Sequence, residues 1–555
     1  MTELHRKSWL QLRDWQWCLL VALVTLAAFA PGLRYPFMMD WDDAAFVVHN
    51  QHLAWTWENL RGYFTQPFLE LYTPVPLVSL MLDHALFGLN PLGYHLHSLL
   101  LHIACALLLY AILRKLPLDR PLAAFGALLW ALSPQKVESV IWIAERKDTD
   151  CGFFALAAFL AFQCALETQR ARRRIALALA AGLLGMLSIW SKPATVALPG
   201  IFIVFAFLKA GASGDSGNSG DSGNSGASPS QLALSPTAAL SCTLYPVPFI
   251  LLGLAISTHF TQTGAGHLER LWAIPLHNLF WYPLSALWPW RLSPIHVPIR
   301  AWSEIWSVVA IGLLVAAVLL ALALWRKVPW RTIICATLLI GGTTIPVLGL
   351  LRYTDYTHCD RYNYCLSALM WAIVLPLLAR LPWRRAWLLP SALALLAACF
   401  FVCTWCYLPY WETTDAFVAY LFQQPGIPNR KSYQVGINAC LRSQNTALLA
   451  VIRERLRNAT PPEGIYSNPP EEAPLQVLDA HLACAAGDLA NAFQLYQDIQ
   501  QRSIALREKY VIPTELIQLM YRDLIHLHQV RGDSAAADFY FRQLENVNEY
   551  HRRQQ

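Results

Sequence analysis

The chain has 555 residues, of which 56% are hydrophobic and 14% charged, with a formal net charge of +6. The apolar residues occur in long runs and the mean hydropathy is +0.36, which excludes an ordinary soluble protein and predicts a polytopic membrane protein. The positive charge comes from arginine clusters at the ends of apolar runs, so it does not indicate nucleic-acid binding.

Eleven apolar runs are predicted to span the membrane. They lie at about 15–31, 95–113, 121–133, 150–167, 175–190, 193–208, 239–257, 304–325, 332–350, 362–379 and 386–407. Basic residues between the runs should face the cytoplasm, which requires the segment 258–303 to stay on one side. Its aromatic stretch, Leu271–Trp290, is then predicted to be an interfacial or re-entrant helix. The N-terminus is expected inside and the C-terminus outside, in the periplasm if the membrane is a bacterial inner membrane.

Two segments differ from the membrane runs in composition. Residues 211–229 repeat Gly-Asp-Ser-Gly-Asn-Ser, which predicts a flexible linker on the cytoplasmic side. From 411 to 555 the composition is that of a soluble helical domain, beside a membrane domain at 1–410. Gly487 and Gly532 each open a Gly-Asp motif typical of the turn in tetratricopeptide-like helix pairs. Their spacing exceeds the ~34 residues of an ordinary tetratricopeptide repeat, so the repeat is degenerate.

The first outer loop contains an acidic motif, Met39-Asp-Trp-Asp-Asp43, shortly after the first apolar run. A membrane protein keeps carboxylates near the bilayer where they meet water, a cation or a reacting substrate. Asp42 and Asp43 are therefore candidate catalytic residues. Solvation of the loop is the competing interpretation, and it is favoured for Asp40.

The predicted topology brings three further polar segments to the same outer face as this loop. They are Ser133–Asp148, Trp190–Pro193 and Arg352–Tyr362. Carboxylates and cations would meet there with apolar helices behind them. Chemistry on a phosphate-linked lipid needs this arrangement, because cations hold the phosphate and a carboxylate takes a proton from the nucleophile.

Several of these residues also have purely structural interpretations. Lys192 could be a snorkelling anchor, and Arg361 could pair with a neighbouring aspartate. The run from Glu145 to Asp148 could be a solvated helix end. His95, Ser98 and His102 share one helix face, where polar packing between helices is favoured over a metal site.

Taken in order, the motifs resemble the GT-C glycosyltransferases related to protein O-mannosyltransferases, and most of all the branch with transmembrane helices and tetratricopeptide repeats and its bacterial homologues. The matching pieces are Trp41-Asp-Asp43 with Asn50, Phe87–His95 with His102, Ser133-Pro134 and Glu138–Asp148, Ser191-Lys-Pro193, and Asp360-Arg-Tyr362 with Tyr364. The chain departs from the family at Ser133 and Ser98, where His and Asn are common. These departures concern the fit of the donor and the acceptor more than the fold.

The resemblance implies an all-α, GT-C-like membrane bundle with a helical-repeat tail, and it implies roles for particular residues. Asp42 or Asp43 would be the base; we slightly prefer Asp43, although the sequence gives no strong physical reason for the choice. Glu138 and Asp148 would form a second acidic site. Arg146, Lys192 and Arg361 would lie near the phosphate of the donor. Tyr362, His95 and His102 would also bind the substrate. A divalent cation could bridge the acidic sites, but Lys or Arg can do the same work, and the metal is left unassigned.

The leading hypothesis is an inverting glycosyltransferase that moves a sugar from a polyprenyl-phosphate carrier to a hydroxyl at the outer face, with a protein as the favoured acceptor. A non-catalytic membrane anchor whose repeats recruit partners is the rival from another class. A third hypothesis keeps the fold and uses a glycan or lipid acceptor. The sequence leaves the sugar and the acceptor open.

Overall fold

The structure is a computed structural model, and it describes residues 12–69, 71–214, 242–260, 273–290, 292–296, 299, 302–349, 358–424, 430–457, 472–505 and 514–554. The described chain divides into two compact units, Met1–His296 with Trp302–Thr413, and Val297–Ala301 with Thr414–Gln555. Most of the predicted linker, from 215 onward, and the part of the fourth outer segment at 352–357 lie outside the described residues.

The first unit is built from helices. They are α1 Asp14–Phe29, α2 Trp57–Thr65, α3 Pro74–Phe87, α4 Pro91–Arg114, α5 Arg120–Ala131, α6 Lys136–Ile141, α7 Arg146–Glu167, α8 Ala171–Ser191, α9 Leu198–Gly214, α10 Pro246–Phe260, α11 Ala273–Leu287, α12 Trp302–Trp325, α13 Trp330–Thr344, α14 Asn363–Ala379 and α15 Leu388–Tyr407. Short 3₁₀ turns join several of them, and a π-helical turn at Ala44–Val48 follows the acidic motif. The predicted all-α polytopic architecture is confirmed for the described residues.

Ten helices in the described residues are long and apolar enough to cross a membrane. They correspond to ten of the eleven predicted spans. The remaining prediction, 121–133, falls on α5, which is a helix of 12 residues and about 18 Å long. The helix ends at Ala131 because the chain turns through Ser133-Pro134, where proline disfavours helical geometry in the residue before it. The predicted interfacial or re-entrant segment contains α11, with Pro283 inside the helix.

One end of the bundle is marked by a charged cluster around Asp14. Its carboxylate accepts hydrogen bonds from Tyr110, Arg114 and Arg120, at 2.7, 3.0 and 3.1 Å. The start of α1, the end of α4 and the start of α5 therefore lie at the same level. The acidic motif and the start of α7 lie at the opposite ends of these helices.

Small residues allow close packing among α7, α8 and α10. Alanines at 155, 158, 165, 178 and 181 lie buried in one apolar cluster between these helices. A Cβ added at Gly182 in α8 would lie 2.8 Å from the Cα of Pro246 in α10. Close backbone approach of this kind stabilises helices in lipid, where apolar burial drives no association.

In the part of the second unit that the structure describes there are seven helices. They are α16 Thr414–Gln423, α17 Arg430–Ser443, α18 Thr446–Arg457, α19 Glu472–Ala485, α20 Leu489–Ala505, α21 Thr514–Val530 and α22 Ser534–Gln554. Gly487 and Gly532, with φ of +83° and +75°, end α19 and α21 in the left-handed region that glycine tolerates. Helix pairs therefore form at the two positions that the Gly-Asp motifs indicated, while their repeat class stays a prediction.

Candidate active site

Asp43 connects the first outer loop to the start of α7. Its carboxylate accepts hydrogen bonds from the backbone amides of Met38, at 3.0 Å, and Ala144, at 2.7 Å. The side chain is 1% exposed. Burial raises the pKa of Asp43 from 3.8 to about 7, although the two amides oppose the shift. Asp43 is thus held in place by backbone donors.

Asp42, next in the chain, has a different environment. It is half-buried, and it forms no hydrogen bond or ion pair with another residue in the described part of the chain. A carboxylate in this situation stays free to accept a proton from a substrate. Of the two candidate bases, Asp42 is thus the one whose carboxylate has no hydrogen-bond or ion-pair partner among the described residues.

Lys192 is the centre of an ion-pair cluster at the junction of α7 and α8. Its ammonium lies 2.5 Å from Glu145 Oε1 and 2.6 Å from Asp148 Oδ1. Burial opposes the charge on Lys192, but the carboxylates of Asp148 and Glu145 outweigh it and raise the pKa of the lysine. Asp148 also accepts a hydrogen bond of 2.9 Å from Ser139. Lys192 is therefore a paired cation with a side chain that is 13% exposed, and these contacts do not fit a snorkelling anchor.

Arg361 extends this cluster towards α6. Its guanidinium donates to Glu138 at 2.5 Å and lies 3.8 Å from Glu145. It also lies over the rings of Trp142 and Tyr362, at 5.5 and 5.2 Å. The Lys192 ammonium lies 5.1 Å from the Tyr362 ring, so the two cations flank this tyrosine. Glu138, Asp148, Lys192, Arg361 and Tyr362 are thus brought together, as the motifs predicted.

Lys147 joins the cluster, and the sequence analysis did not name it as a site residue. Its ammonium lies 3.4 Å from Glu145 and 4.8 Å from the ring centre of Phe46, which follows the acidic motif. It is 7% exposed. Arg146 and Lys147 are consecutive residues at the start of α7, and their side chains point about 100° apart around the helix axis. The rotation of the helix therefore decides which of the two enters the cluster.

Arg146 occupies a different position from the one that the resemblance implies. Its guanidinium pairs with Asp83 of α3 and donates to the carbonyl of Tyr94, at 2.6 Å, and to Ser98, at 3.2 Å. The side chain is completely buried. The structure therefore places Arg146 in a separate network and does not group it with Lys192 and Arg361.

The two histidines of α4 pack between elements. His95 bonds the carbonyl of Tyr35 at 3.1 Å. His102 bonds the carbonyl of Ala131 at 3.0 Å and the hydroxyl of Tyr364 at 2.8 Å. Both are buried, and these contacts fit the polar-packing interpretation. Among the described residues, no group of three or more His, Cys, Asp or Glu side chains is placed to hold a metal ion.

A mostly apolar groove leads away from the charged cluster. Asp148 and Tyr362 line it at the site end, where α7 and α14 begin. The rest of its lining is mostly apolar and includes Leu156, Phe159, Leu198, Ile201, Leu369 and Ala372. From Tyr362 to Ala372 the groove follows α14 for about 15 Å, roughly half of the ~30 Å hydrocarbon core.

The sequence is similar to curated protein O-mannosyl-transferases over a short segment. TMTC2 of Homo sapiens is 34% identical over 91 residues, which cover 16% of this chain and 11% of that protein. TMTC1 of Mus musculus is 34% identical over 97 residues, 17% of this chain and 10% of that protein. The chain thus matches about a tenth of the length of these relatives. The resemblance stated from the motifs is confirmed by these matches, and no protein-family model matches the chain.

Three solved structures are similar to this chain at low identity. The arabinofuranosyltransferase AftD from Mycobacteria has a TM-score of 0.38 and 15% identity, over 71% of this chain and 26% of that one. The oligosaccharyltransferase of Archaeoglobus fulgidus has a TM-score of 0.38 and 12% identity, and the match covers 82% of this chain and 61% of that one. ArnT from Cupriavidus metallidurans, bound to undecaprenyl phosphate, has a TM-score of 0.36 and 14% identity, and the match covers 80% of this chain and 78% of that one.

Proposed function

We propose that the protein is a membrane glycosyltransferase of the GT-C type that uses a polyprenyl-phosphate-linked sugar as donor. The observation that carries the proposal is the continuity between the apolar groove and the cation cluster. Asp148 and Tyr362 line the groove, and both contact Lys192. An isoprenoid chain suits an apolar groove within the bilayer, and a phosphate at its end suits buried cations.

The cations are available to a phosphate although each is paired. Lys192 and Arg361 bond carboxylates that lie on α6 and at the start of α7. A phosphate oxygen entering between them would exchange one anionic partner for another, so the cations keep a partner at every stage. As the bond between the anomeric carbon and the phosphate oxygen breaks, negative charge grows on the phosphate. Cations fixed in advance stabilise that charge best.

In this proposal the acidic motif activates the acceptor hydroxyl. The acceptor hydroxyl attacks the anomeric carbon from the face opposite the phosphate, the configuration inverts, and Asp42 takes the hydroxyl proton. Asp43 holds the loop against Ala144, so that Asp42 stays near the start of α7. Lipid phosphate is the leaving group.

The relatives support a protein hydroxyl as acceptor, since their names describe O-mannosyl transfer to protein. By the positive-inside rule, the site faces the outer side and the second unit lies there as well. We propose that the second unit selects the acceptor by its helical-repeat surface. A non-catalytic anchor is the rival function, and it gives no reason for three largely inaccessible cations, Lys147, Lys192 and Arg361, in a cluster beside an apolar groove.

The test uses the full chain in lipid nanodiscs, with polyprenyl-phosphate sugars as donors. Release of polyprenyl phosphate would measure donor cleavage, and mass spectrometry of glycoproteins and glycans from cells with and without the gene would identify the acceptor. We expect Lys192→Met to lose donor cleavage. Lys115→Met, which breaks the more exposed ion pair with Glu167, is the matched control and should retain it. Donor cleavage that survives in Lys192→Met would refute the phosphate-binding role.

A further inference from the structure

Asp83 in α3 forms a buried ion pair that no part of the proposed chemistry uses. It is 1% exposed, and it pairs with the guanidinium of Arg146. His97 of α4 bonds the other carboxylate oxygen at 2.6 Å. The pair lies in a segment of apolar helix where an isolated charge would be costly, so each member depends on the other.

Each of the three guanidinium nitrogens of Arg146 has a hydrogen-bond partner within the protein. One terminal nitrogen bonds Asp83, the other donates to the carbonyl of Tyr94, and Nε donates to Ser98. The side chain therefore ties the start of α7 to α3 and α4 at once. Such a fork of fixed hydrogen bonds orients a guanidinium more strongly than a single contact does.

The residues on either side of Arg146 carry the groups of the candidate site. The amide of Ala144 holds Asp43, and Glu145 and Asp148 hold Lys192. These groups meet their partners only if the turn from Trp142 to Asp148 keeps one backbone position. Arg146 is the member of this turn whose side chain is fixed elsewhere.

We infer that Asp83 is a positioning residue. By holding Arg146, it fixes the turn so that Ala144 meets Asp43 while Glu145 and Asp148 meet Lys192. Its effect on turnover rests on the proposed function, but its effect on the turn does not. Replacing Asp83 by Asn removes the carboxylate that pairs with the buried guanidinium of Arg146, and the turn should then open locally more often.

Two measurements on the full chain in nanodiscs test this inference. In Asp83→Asn, hydrogen exchange of the peptide covering 142–148 should be faster than in the wild type. Donor turnover should fall by ~10²-fold, the size of loss that misplacement by about 1 Å produces, with the KM for the donor unchanged. Asp83→Glu, which keeps the charge, should restore most of the turnover.

Asp119→Asn is the matched control, since Asp119 caps the N-terminus of α5 through the amide of Leu122. It should leave exchange in 142–148 unchanged. If Asp83→Asn does not insert, Arg146→Lys carries the same expectations, because an ammonium cannot reach all three partners together.

Unchanged exchange in 142–148 would overturn the inference, and so would a raised KM with unchanged kcat, which would place Asp83 on the donor. A wild-type protein that cleaves no polyprenyl-phosphate sugar would instead overturn the proposed function. The exchange measurement would then decide the positioning role by itself.

Discussion

The carboxylate of Asp43 accepts a hydrogen bond of 2.7 Å from the backbone amide of Ala144. This bond joins two segments 101 residues apart in the sequence and sets the acidic motif beside the start of α7. Because the bond uses Asp43, it leaves its neighbour Asp42 as the carboxylate without a partner among the described side chains. The two adjacent aspartates thus have different environments, which fits the proposed roles, with Asp43 holding the loop and Asp42 accepting the proton.

Substitution of the two aspartates by Asn should separate these roles. Asp42→Asn should lower kcat by ~10²–10⁴-fold, the usual cost of losing a general base, with little change in thermal stability. Asp43→Asn should instead lower the stability by about 1–3 kcal/mol, because its amide group meets a backbone donor that it cannot satisfy. Donor-transfer kinetics and thermal unfolding of purified variants measure both effects. Full turnover in Asp42→Asn would return the role of the base to Asp43.

The raised pKa of Asp43 predicts how stability depends on pH. At a pH between 3.8 and about 7, which are the pKa values of Asp43 in the unfolded and the folded chain, the folded protein keeps the Asp43 proton and the unfolded chain releases it. The contribution of Asp43 to stability is therefore largest below 3.8 and decreases as pH rises, by about 1.4 kcal/mol per pH unit, until about pH 7. Asp43→Asn should lack this slope. We therefore expect the difference in melting temperature between wild type and variant to become smaller as the pH is raised from about 5 to about 7. Parallel curves would contradict the assignment.

Lys147 and Arg146 should respond differently to the same substitution. Lys147→Met removes a cation from the charged cluster, so donor cleavage should fall by ~10²-fold, as when one stabilising donor is lost. Arg146→Met removes the cation that pairs with the buried Asp83, which then keeps only His97 among the partners named above, and should cost about 3–5 kcal/mol of stability. The two variants differ by one position and carry the same new side chain, so each is the control for the other. Equal loss of stability in both would contradict the separate networks.

Sequence reasoning found most of the charged cluster because motif order and topology together bring distant segments to one face. Glu138, Asp148, Lys192 and Arg361 were identified in this way. It named Arg146 and not Lys147, since the phase of α7, which depends on tertiary packing, is not visible in the sequence. Asp83 was missed because a lone aspartate in an apolar helix has no motif around it. Similarly, α5 appears as a full span in the sequence because its apolar residues continue past the turn at Ser133-Pro134.

The topology can be tested independently of any activity. If the arginines at 170 and 172–174 and at 384–385 are cytoplasmic, the second unit lies outside. An alkaline phosphatase fused after Gln555 should then be active, and one fused within 211–229 should be silent. The reverse pattern would place the site on the cytoplasmic face and exclude an outer-face transfer.

The depth of the groove predicts a dependence on the length of the lipid chain. Ala372 lines its far end, about 15 Å along α14 from Tyr362. A Phe at this position should obstruct a long polyprenyl chain while leaving room for a short isoprenoid near the site. We therefore expect Ala372→Phe to raise the KM for a long-chain donor and to leave the KM for a farnesyl-phosphate sugar unchanged. Ala379→Phe, at the end of the same helix and outside the groove lining, is the matched control. If Ala372→Phe impaired both donors equally, the groove would not be the path of the lipid chain.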